Sequence, residues 1–241
     1  MNKDHIYWAD RVKRLGEKSV RDIDPKKGFY DTTLRKYVFS KVAKLARGMK
    51  ILDVGCGVGD WCIDYAKVGC NVIGMDFMED LIQLARENAK RVGLPIKFEN
   101  QSLESYTTNK QYFDLVTSIT VLQHITEEKC FKNAIANIFS LLKAGGRAII
   151  IEYMPYKINN FVKKADYMQY RPRSEWIRYF KEAGFNLIKE KSVRILGFKL
   201  FNRLKSDFIL KLSLFIDKLL TSCDPLFAKY ADTRLLVFKK G

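Results

Sequence analysis

The sequence predicts an α/β fold: a mostly parallel sheet with helices on both faces. Short apolar runs alternate with segments of helical periodicity, as in successive βαβ units. The first run, Ile51 to Val54, leads directly into the glycine-rich turn GCGVG. Gly145-Gly146 forms a second tight turn before RAIIIEY, a run typical of a strand buried on both faces.

The elements follow from these patterns in chain order. We expect strands near 50–54, 71–76, 96–100, 113–119, 147–153, 185–195 and 235–239. We expect helices near 34–47, 60–68, 78–92, 131–143, 174–183 and 199–221. Ser174 is expected to cap its helix at the N-terminus, and Gly184 to follow its last turn. No repeat or low-complexity linker interrupts the chain, so we interpret it as one domain.

The turn after the first strand narrows the class of ligand. Glycine is needed there because a backbone that approaches a ligand has positive φ or no room for a Cβ. A dinucleotide fingerprint places its third glycine one residue later, where this chain has Asp60. The acids Asp53 and Asp60 would repel phosphate but suit a positively charged ligand. Asp76 ends the next predicted strand, about 20 residues on, where an acid meets ribose hydroxyls. S-adenosylmethionine, an adenosine with a cationic tail and no phosphate, fits this pattern.

Four segments between Lys50 and Tyr153 carry a family resemblance: LDVGCGVGD, VIGMDFMEDLIQLAR, FDLVTSITVLQHI and LLKAGGRAIIIEY. In this order they resemble the motifs of class I S-adenosylmethionine-dependent methyltransferases of the small-molecule type. The resemblance implies a three-layer Rossmann-like fold with seven strands, the last antiparallel. It divides the domain into an N-terminal helical cap (1–47), a cofactor-binding core (48–154) and a remainder (155–241) with the acceptor-side loop, the last strands and an amphipathic helix.

The resemblance also implies the cofactor site, with S-adenosyl-L-methionine as cofactor, S-adenosyl-L-homocysteine as product and no metal. The backbone from Asp53 to Gly57 would hold the methionine part, Asp76 the ribose hydroxyls, and Phe77 the adenine. Ser102 stands where the family often has an acid for the adenine amino group. The expected cofactor-binding residues are Asp53, Gly55, Cys56, Gly57, Asp76, Phe77, Ser102, Leu103 and Ile119.

His124 is the expected general base, because it follows the fourth strand near the expected sulfonium and is one of two histidines. A base is needed only when the acceptor, such as a hydroxyl, loses a proton as it attacks. The alternative is a structural hydrogen bond. The chain lacks the Asn-Pro-Pro-Tyr tetrapeptide with which other branches of the family hold an amino group.

Tyrosines and arginines near the fifth strand are the expected acceptor-binding groups, since arginine forks bind anions and tyrosines give shape with a polar handle. The expected residues are Tyr153, Tyr170 and Arg171 near the fifth strand and Tyr30 of the N-terminal extension. They predict an anionic or polyhydroxylated acceptor, such as a phosphorylated or nucleotide-linked sugar or a lipid-linked glycan. Alternatively they solvate a loop, and Tyr30 anchors the extension.

The formal net charge of +16 favours contact with polyanions or reflects a solvated basic surface. Five cysteines without a C-x-x-C pair suit a reducing cytoplasm. The last helix, 199–221, has apolar residues at helical spacing with basic residues off that face: Phe201, Leu204, Phe208, Leu212, Phe215 and Leu219. We expect this stripe to pack on the sheet or on a second subunit of a homodimer. Contact with an anionic membrane is the alternative.

These features predict methyl transfer to an oxygen, less often a nitrogen, of a small molecule or saccharide. An RNA methyltransferase is the alternative that the charge supports. A third interpretation is an inactive partner-binding protein that uses the last helix as its interface.

Overall fold

The computed structural model describes residues 3–20, 22, 24–106, 111–156, 167–195 and 206–241. Seven strands form one sheet in the order β3-β2-β1-β4-β5-β7-β6. Their bounds are β1 Lys50–Val54, β2 Asn71–Asp76, β3 Lys97–Asn100, β4 Phe113–Ile119, β5 Leu142–Tyr153, β6 Phe185–Arg194 and β7 Thr233–Lys240. β1 to β5 pair in parallel, and β7 lies antiparallel between β5 and β6. The predicted α/β fold with an antiparallel last strand is confirmed.

Helices cover both faces of this sheet. They are α1 Lys3–Leu15, α2 Pro25–Ser40, α3 Asp60–Lys67, α4 Glu79–Arg91, α5 Glu128–Leu141, α6 Arg173–Glu182, α7 Asp207–Ser222 and α8 Asp224–Phe227. Neighbouring residues of β1 point to opposite faces, as the strand period of two requires. Ile51 joins a core with residues of α2, α3 and α7, whereas Leu52 joins one with residues of α5 and α6. None of the described helices is long and apolar enough to span a membrane.

Helix α5 and strand β5 begin earlier than predicted, so Gly145-Gly146 lies inside β5 and not in a turn before it. Two other helices begin earlier than predicted at a proline. The expected helix 34–47 is replaced by α2, because Pro25 occupies its first turn and Asp24 caps it, accepting from the Lys26 amide at 3.0 Å. Ser174 is not an N-cap, because α6 already begins at Arg173, directly after Pro172. Gly184 does follow the end of α6, with a φ of +97°.

Helix α7 differs from the prediction in the face that it buries. The predicted apolar stripe faces solvent: Phe208 is 73%, Phe215 65% and Leu219 57% exposed. The buried face consists of Leu210, Ser213, Leu214, Asp217 and Thr221. The cause is a buried hydrogen bond at 2.6 Å from the Tyr30 hydroxyl to Asp217 Oδ2, which turns this polar face toward α2. The expected packing of the stripe on the sheet is therefore wrong, and residues 199–205 of the predicted helix lie outside the described residues.

Candidate active site

A cavity lies where the glycine-rich turn, the end of β2 and the loop after β4 meet helices α1 and α2. The strand side of its wall includes Gly55, Cys56, Gly57, Asp76, Phe77, Ser102, Leu103, Ile119 and His124. The helical side includes His5, Trp8, Thr32, Arg35 and Lys36. Within the described part of the chain, no cluster of three or more His, Cys, Asp or Glu side chains is placed to hold a metal ion.

The glycine-rich turn is packed too tightly for side chains. Gly55 has a φ of +66°, and a Cβ added there would lie 2.3 Å from Cγ2 of Val121. Gly57 has a φ of +54°, and a Cβ there would lie 2.9 Å from Cγ1 of Val20. Both the backbone conformation and the space therefore require glycine. The turn presents bare backbone to the cavity, as a closely held ligand needs.

Asp76 ties this turn to the end of β2. Its Oδ2 accepts from the Gly57 amide and its Oδ1 from the Met78 amide, both at 3.0 Å. Burial raises the pKa of Asp76, while these amides act in the opposite direction. The carboxylate lines the cavity and can accept further hydrogen bonds there. As an acceptor it fits the hydroxyls of a ribose.

Asp53 does not lie on the cavity wall, contrary to the expectation for its carboxylate. It is buried inside the fold, where Oδ1 accepts from the Thr117 hydroxyl at 2.7 Å and Oδ2 from the Cys62 thiol at 3.3 Å. Burial raises the pKa of Asp53 to about 6. Its side chain fixes β1 to β4 and α3, so of the two acids expected to face a cation only Asp60 lines the cavity.

Arg35 is a site residue that the sequence reasoning missed. It projects from α2 onto the cavity wall, where its Nη2 lies 3.5 Å from Asp31 Oδ2. Its Nε is buried without a hydrogen-bond partner among the described residues. A guanidinium beside the glycine-rich turn fits a carboxylate, and the methionine part of S-adenosylmethionine carries one. The signal of Arg35 in the sequence is weak, namely a basic residue next to Leu34 in a segment with apolar residues at helical spacing.

The expected adenine side of the cavity holds Phe77 and an acid that the prediction had not found. Phe77 stacks on His5 of α1, with ring centroids 4.3 Å apart and planes 16° from parallel. Ser102 lies on the wall as expected, but its hydroxyl donates to the carboxylate of Glu104, which also lines the cavity. An acid is therefore present on the wall two residues after Ser102.

His124 is held in one tautomer. Its Nδ1 lies 2.9 Å from the carbonyl oxygen of Tyr167, which only accepts, so Nδ1 carries the proton. Nε2 of the neutral ring is then an acceptor, and the side-chain amide nitrogen of Gln123 lies 3.5 Å from it. Burial lowers the pKa of His124, which favours this neutral form. Trp8 of α1 packs edge-on against the His124 ring, with 5.1 Å between the ring centroids. Helix α1 therefore lies against this part of the wall.

Glu152 supports the loop that carries His124. Its Oε1 accepts from the backbone amides of Val121 and Leu122, both at 2.9 Å. The side chain is fully buried, and burial raises its pKa to about 8. At neutral pH the group is therefore mainly protonated. Just before these amides, Thr120 has a φ of +57°, a conformation that this anchored loop maintains.

The four residues expected to bind the acceptor do not line the cavity formed by the described residues. Arg171 is only 3% exposed, donates from Nη2 to the Ile125 carbonyl at 2.9 Å and lies 3.7 Å from the centroid of the Phe131 ring. Tyr30 is fully buried and donates a hydrogen bond to Asp217 of α7. Tyr153 packs edge-on against Tyr170. All four are used in packing, and residues 157–166 of the acceptor-side loop lie outside the described residues.

Comparison with known proteins agrees with this geometry. Residues 51–146 match the family described as a methyltransferase domain. A ubiquinone biosynthesis O-methyltransferase of Coxiella burnetii (strain Dugway 5J108-111) is 29% identical over 167 residues, which cover 64% of this chain and 69% of that protein. One of Chelativorans sp. (strain BNC1) is 32% identical over 122 residues, covering 46% and 48%.

The solved structures include phosphoethanolamine N-methyltransferase 2 of Haemonchus contortus in complex with S-adenosyl-L-methionine. It has a TM-score of 0.66 at 16% identity and covers 97% of this chain and 60% of that one. At this identity the similarity concerns the fold alone. The shared fold agrees with the sheet topology described above.

Proposed function

We propose that this chain, as a class I S-adenosylmethionine-dependent methyltransferase, methylates a hydroxyl oxygen of a small molecule with a flat, apolar body. The observation that carries the proposal is His124: its Nδ1–H is engaged by the Tyr167 carbonyl, and its Nε2 is left unprotonated with only a long contact, 3.5 Å, to the Gln123 side-chain amide. A hydroxyl must lose a proton as its oxygen attacks, and a neutral imidazole with a lowered pKa suits that role.

The cavity residues fit the cofactor. In this proposal Arg35 binds the carboxylate of the methionine part, Asp76 accepts the ribose hydroxyls and Glu104 accepts from the adenine amino group. The amides of the glycine-rich turn lie against the methionine part. When bound, S-adenosylmethionine supplies an electrophilic methyl group on a sulfonium. The chain itself then needs only to orient the acceptor, exclude water and take up one proton at His124 Nε2.

The wall around His124 supports a flat, apolar acceptor. Trp8 and Trp61 line the cavity with Ile125, and aromatic faces of this kind bind flat rings. The relatives from Coxiella and Chelativorans are named as O-methyltransferases of ubiquinone biosynthesis, which also favours oxygen. Arg171 and Tyr170, which suggested an anionic or glycan acceptor, lie outside the cavity formed by the described residues. Lys36, the second cation on the wall, is paired with Asp64 at 2.6 Å.

The test is methyl transfer from radiolabelled S-adenosylmethionine to a panel of phenols and catechols, with anilines of the same shape as nitrogen counterparts. We expect label on the hydroxyl compounds and little on the anilines. His124→Asn should lower kcat by about 100-fold or more, since it removes the base but keeps an amide that can donate to the Tyr167 carbonyl. Cofactor affinity, measured by calorimetry, should stay unchanged.

The pH dependence separates a base from a structural histidine. Activity of the wild type should fall only as the pH drops below the pKa of His124, which lies under its usual value near 6.5. His124→Asn should lose this acidic limb. Label on anilines alone, or an Asn variant within a few-fold of wild-type kcat, would contradict the proposal. Transfer into RNA, with none into small molecules, would favour the alternative that the net charge of +16 supports.

A further inference from the structure

Helix α7 exposes an apolar stripe, while its buried face carries three polar residues beside Leu210 and Leu214. An ordinary surface helix buries its apolar stripe and exposes its polar residues. Here Phe208, Leu212, Phe215 and Leu219 are exposed. They recur every three or four positions, so they form one stripe about 16 Å long. Leu226, 75% exposed, follows shortly after the helix. A contiguous exposed apolar surface of this kind indicates a site that contacts a membrane or another molecule.

The buried side of α7 fixes this orientation. Asp217 is fully buried and accepts from the Tyr30 hydroxyl at 2.6 Å and from the Ile195 amide at 3.3 Å. Rolling the helix to bury the stripe would break both hydrogen bonds and separate the Tyr30 hydroxyl and the Ile195 amide from the acceptor that they share inside the fold. The stripe therefore stays outward.

The charges around the stripe are positive. The acidic residues of segment 206–230 are Asp207, Asp217 and Asp224. Asp217 and Asp224 are buried, and Asp207 forms an ion pair with Lys26 at 2.7 Å. Lys211 and Lys229 are exposed in the same segment. The surface that α7 presents thus combines aromatic and aliphatic side chains with lysines, the composition of helices that lie in the headgroup region of an anionic bilayer.

We propose that α7 docks this methyltransferase on an anionic lipid surface, with Phe208, Phe215 and Leu219 inserted among the headgroups. A second copy of the chain is the competing occupant. A two-fold interface would place the same surface patch against itself and bring lysines of like charge together, which disfavours it. A bilayer with anionic headgroups satisfies both the stripe and the lysines. The proposal does not depend on the identity of the acceptor.

The test is flotation of the full chain with vesicles of phosphatidylcholine, with and without phosphatidylglycerol. The variant Phe208→Glu/Phe215→Glu removes the stripe. Its matched control is Val68→Glu/Val92→Glu, at two apolar residues that are exposed elsewhere on the surface. Both double variants change the net charge equally, so a general electrostatic effect changes both to the same extent.

We expect the wild type and the control to float with phosphatidylglycerol vesicles, and the stripe variant to bind at least about tenfold more weakly. Binding should weaken with added salt and without the anionic lipid. Equal cofactor affinity and thermal unfolding would show that all three proteins are folded. The proposal is overturned if the stripe variant floats like the control, or if the wild type does not float. If, in addition, the wild type alone sediments as a dimer, the second copy is the occupant.

Discussion

The two walls of the cavity are built differently. The strand wall is fixed by buried carboxyl groups that receive backbone amides: Asp76 holds the glycine-rich turn, and Glu152 holds the loop before His124. The helical wall is held mainly by side chains. His5 stacks on Phe77, Trp8 meets His124 edge-on, and the ring of Tyr7 stacks on Tyr167 with centroids 3.7 Å apart.

This difference assigns separate tasks to the walls. Hydrogen bonds from backbone to a buried carboxylate allow little displacement, so the strand wall suits a cofactor that is the same in every turnover. Stacked rings tolerate sliding, and the N-terminal helix that carries three of them has few buried residues. The part of the helical wall that α1 forms therefore suits an acceptor that must enter and leave, whereas Arg35 of α2 is proposed to contact the cofactor.

The largest effect is expected on the strand wall. Asp76→Ala removes the acceptor for two backbone amides and for the ribose, so cofactor affinity should fall about 100-fold or more. Calorimetric titration with S-adenosylhomocysteine measures it. The control is Asp114→Ala, which removes a carboxylate that also accepts a backbone amide, from Lys50 at 2.8 Å, but outside the cavity. If both variants lose affinity equally, general loosening of the sheet is the cause and Asp76 has no direct role.

An intermediate effect is expected for Arg35, the charged group of the helical wall. Arg35→Met should weaken cofactor binding by about tenfold, because one charge-assisted contact with a carboxylate is lost. Arg171→Met provides the contrast, since this guanidinium bonds the Ile125 carbonyl inside the fold. It should lower the free energy of unfolding by about 2 kcal/mol without changing cofactor affinity. Calorimetry and denaturant unfolding of both variants would decide, and exchanged outcomes would reverse the two roles.

The smallest effect is expected behind the helical wall. Tyr30→Phe removes the hydroxyl that donates to Asp217, and the free energy of unfolding should fall by about 1–3 kcal/mol because a buried acceptor loses a partner. KM for the acceptor should not change. Phe39→Leu, a buried apolar substitution on the same helix, serves as a control for general loosening of α2. A raised KM with unaltered stability would instead return Tyr30 to the acceptor site.

The features that the sequence predicted well are determined by neighbours in the chain. The strand ending at Val54, the turn after it and Asp76 follow from apolar periodicity and from the steric demands on glycine. The rotation of α7 depends instead on a hydrogen bond between Tyr30 and Asp217, 187 residues apart. Periodicity identified the apolar stripe but could not tell which face would be buried.

The acceptor-side predictions failed for a related reason. Residue type indicated that Arg171 and Tyr170 bind a ligand, but an arginine also packs well over an aromatic ring inside a fold. Residue type and spacing did not single out Arg35, because its role depends on how α2 lies over the glycine-rich turn. Glu104 was missed because the motif position expected to hold an acid is occupied by Ser102. Only the geometry of the loop shows that Ser102 and Glu104 both line the cavity.

The buried carboxyl of Glu152 makes folding a proton-consuming reaction. Its pKa is about 8 in the folded chain and near 4.5 when the side chain is exposed to water. Between these values the folded state retains a proton that the unfolded state has released. The contribution of this group to stability is therefore fully present below about pH 4.5 and declines as the pH rises toward 8. Deprotonation of Glu152 at high pH thus destabilises the loop that carries His124. Protonation of His124 at low pH removes its proton acceptor, so the site is limited at both ends of the pH range.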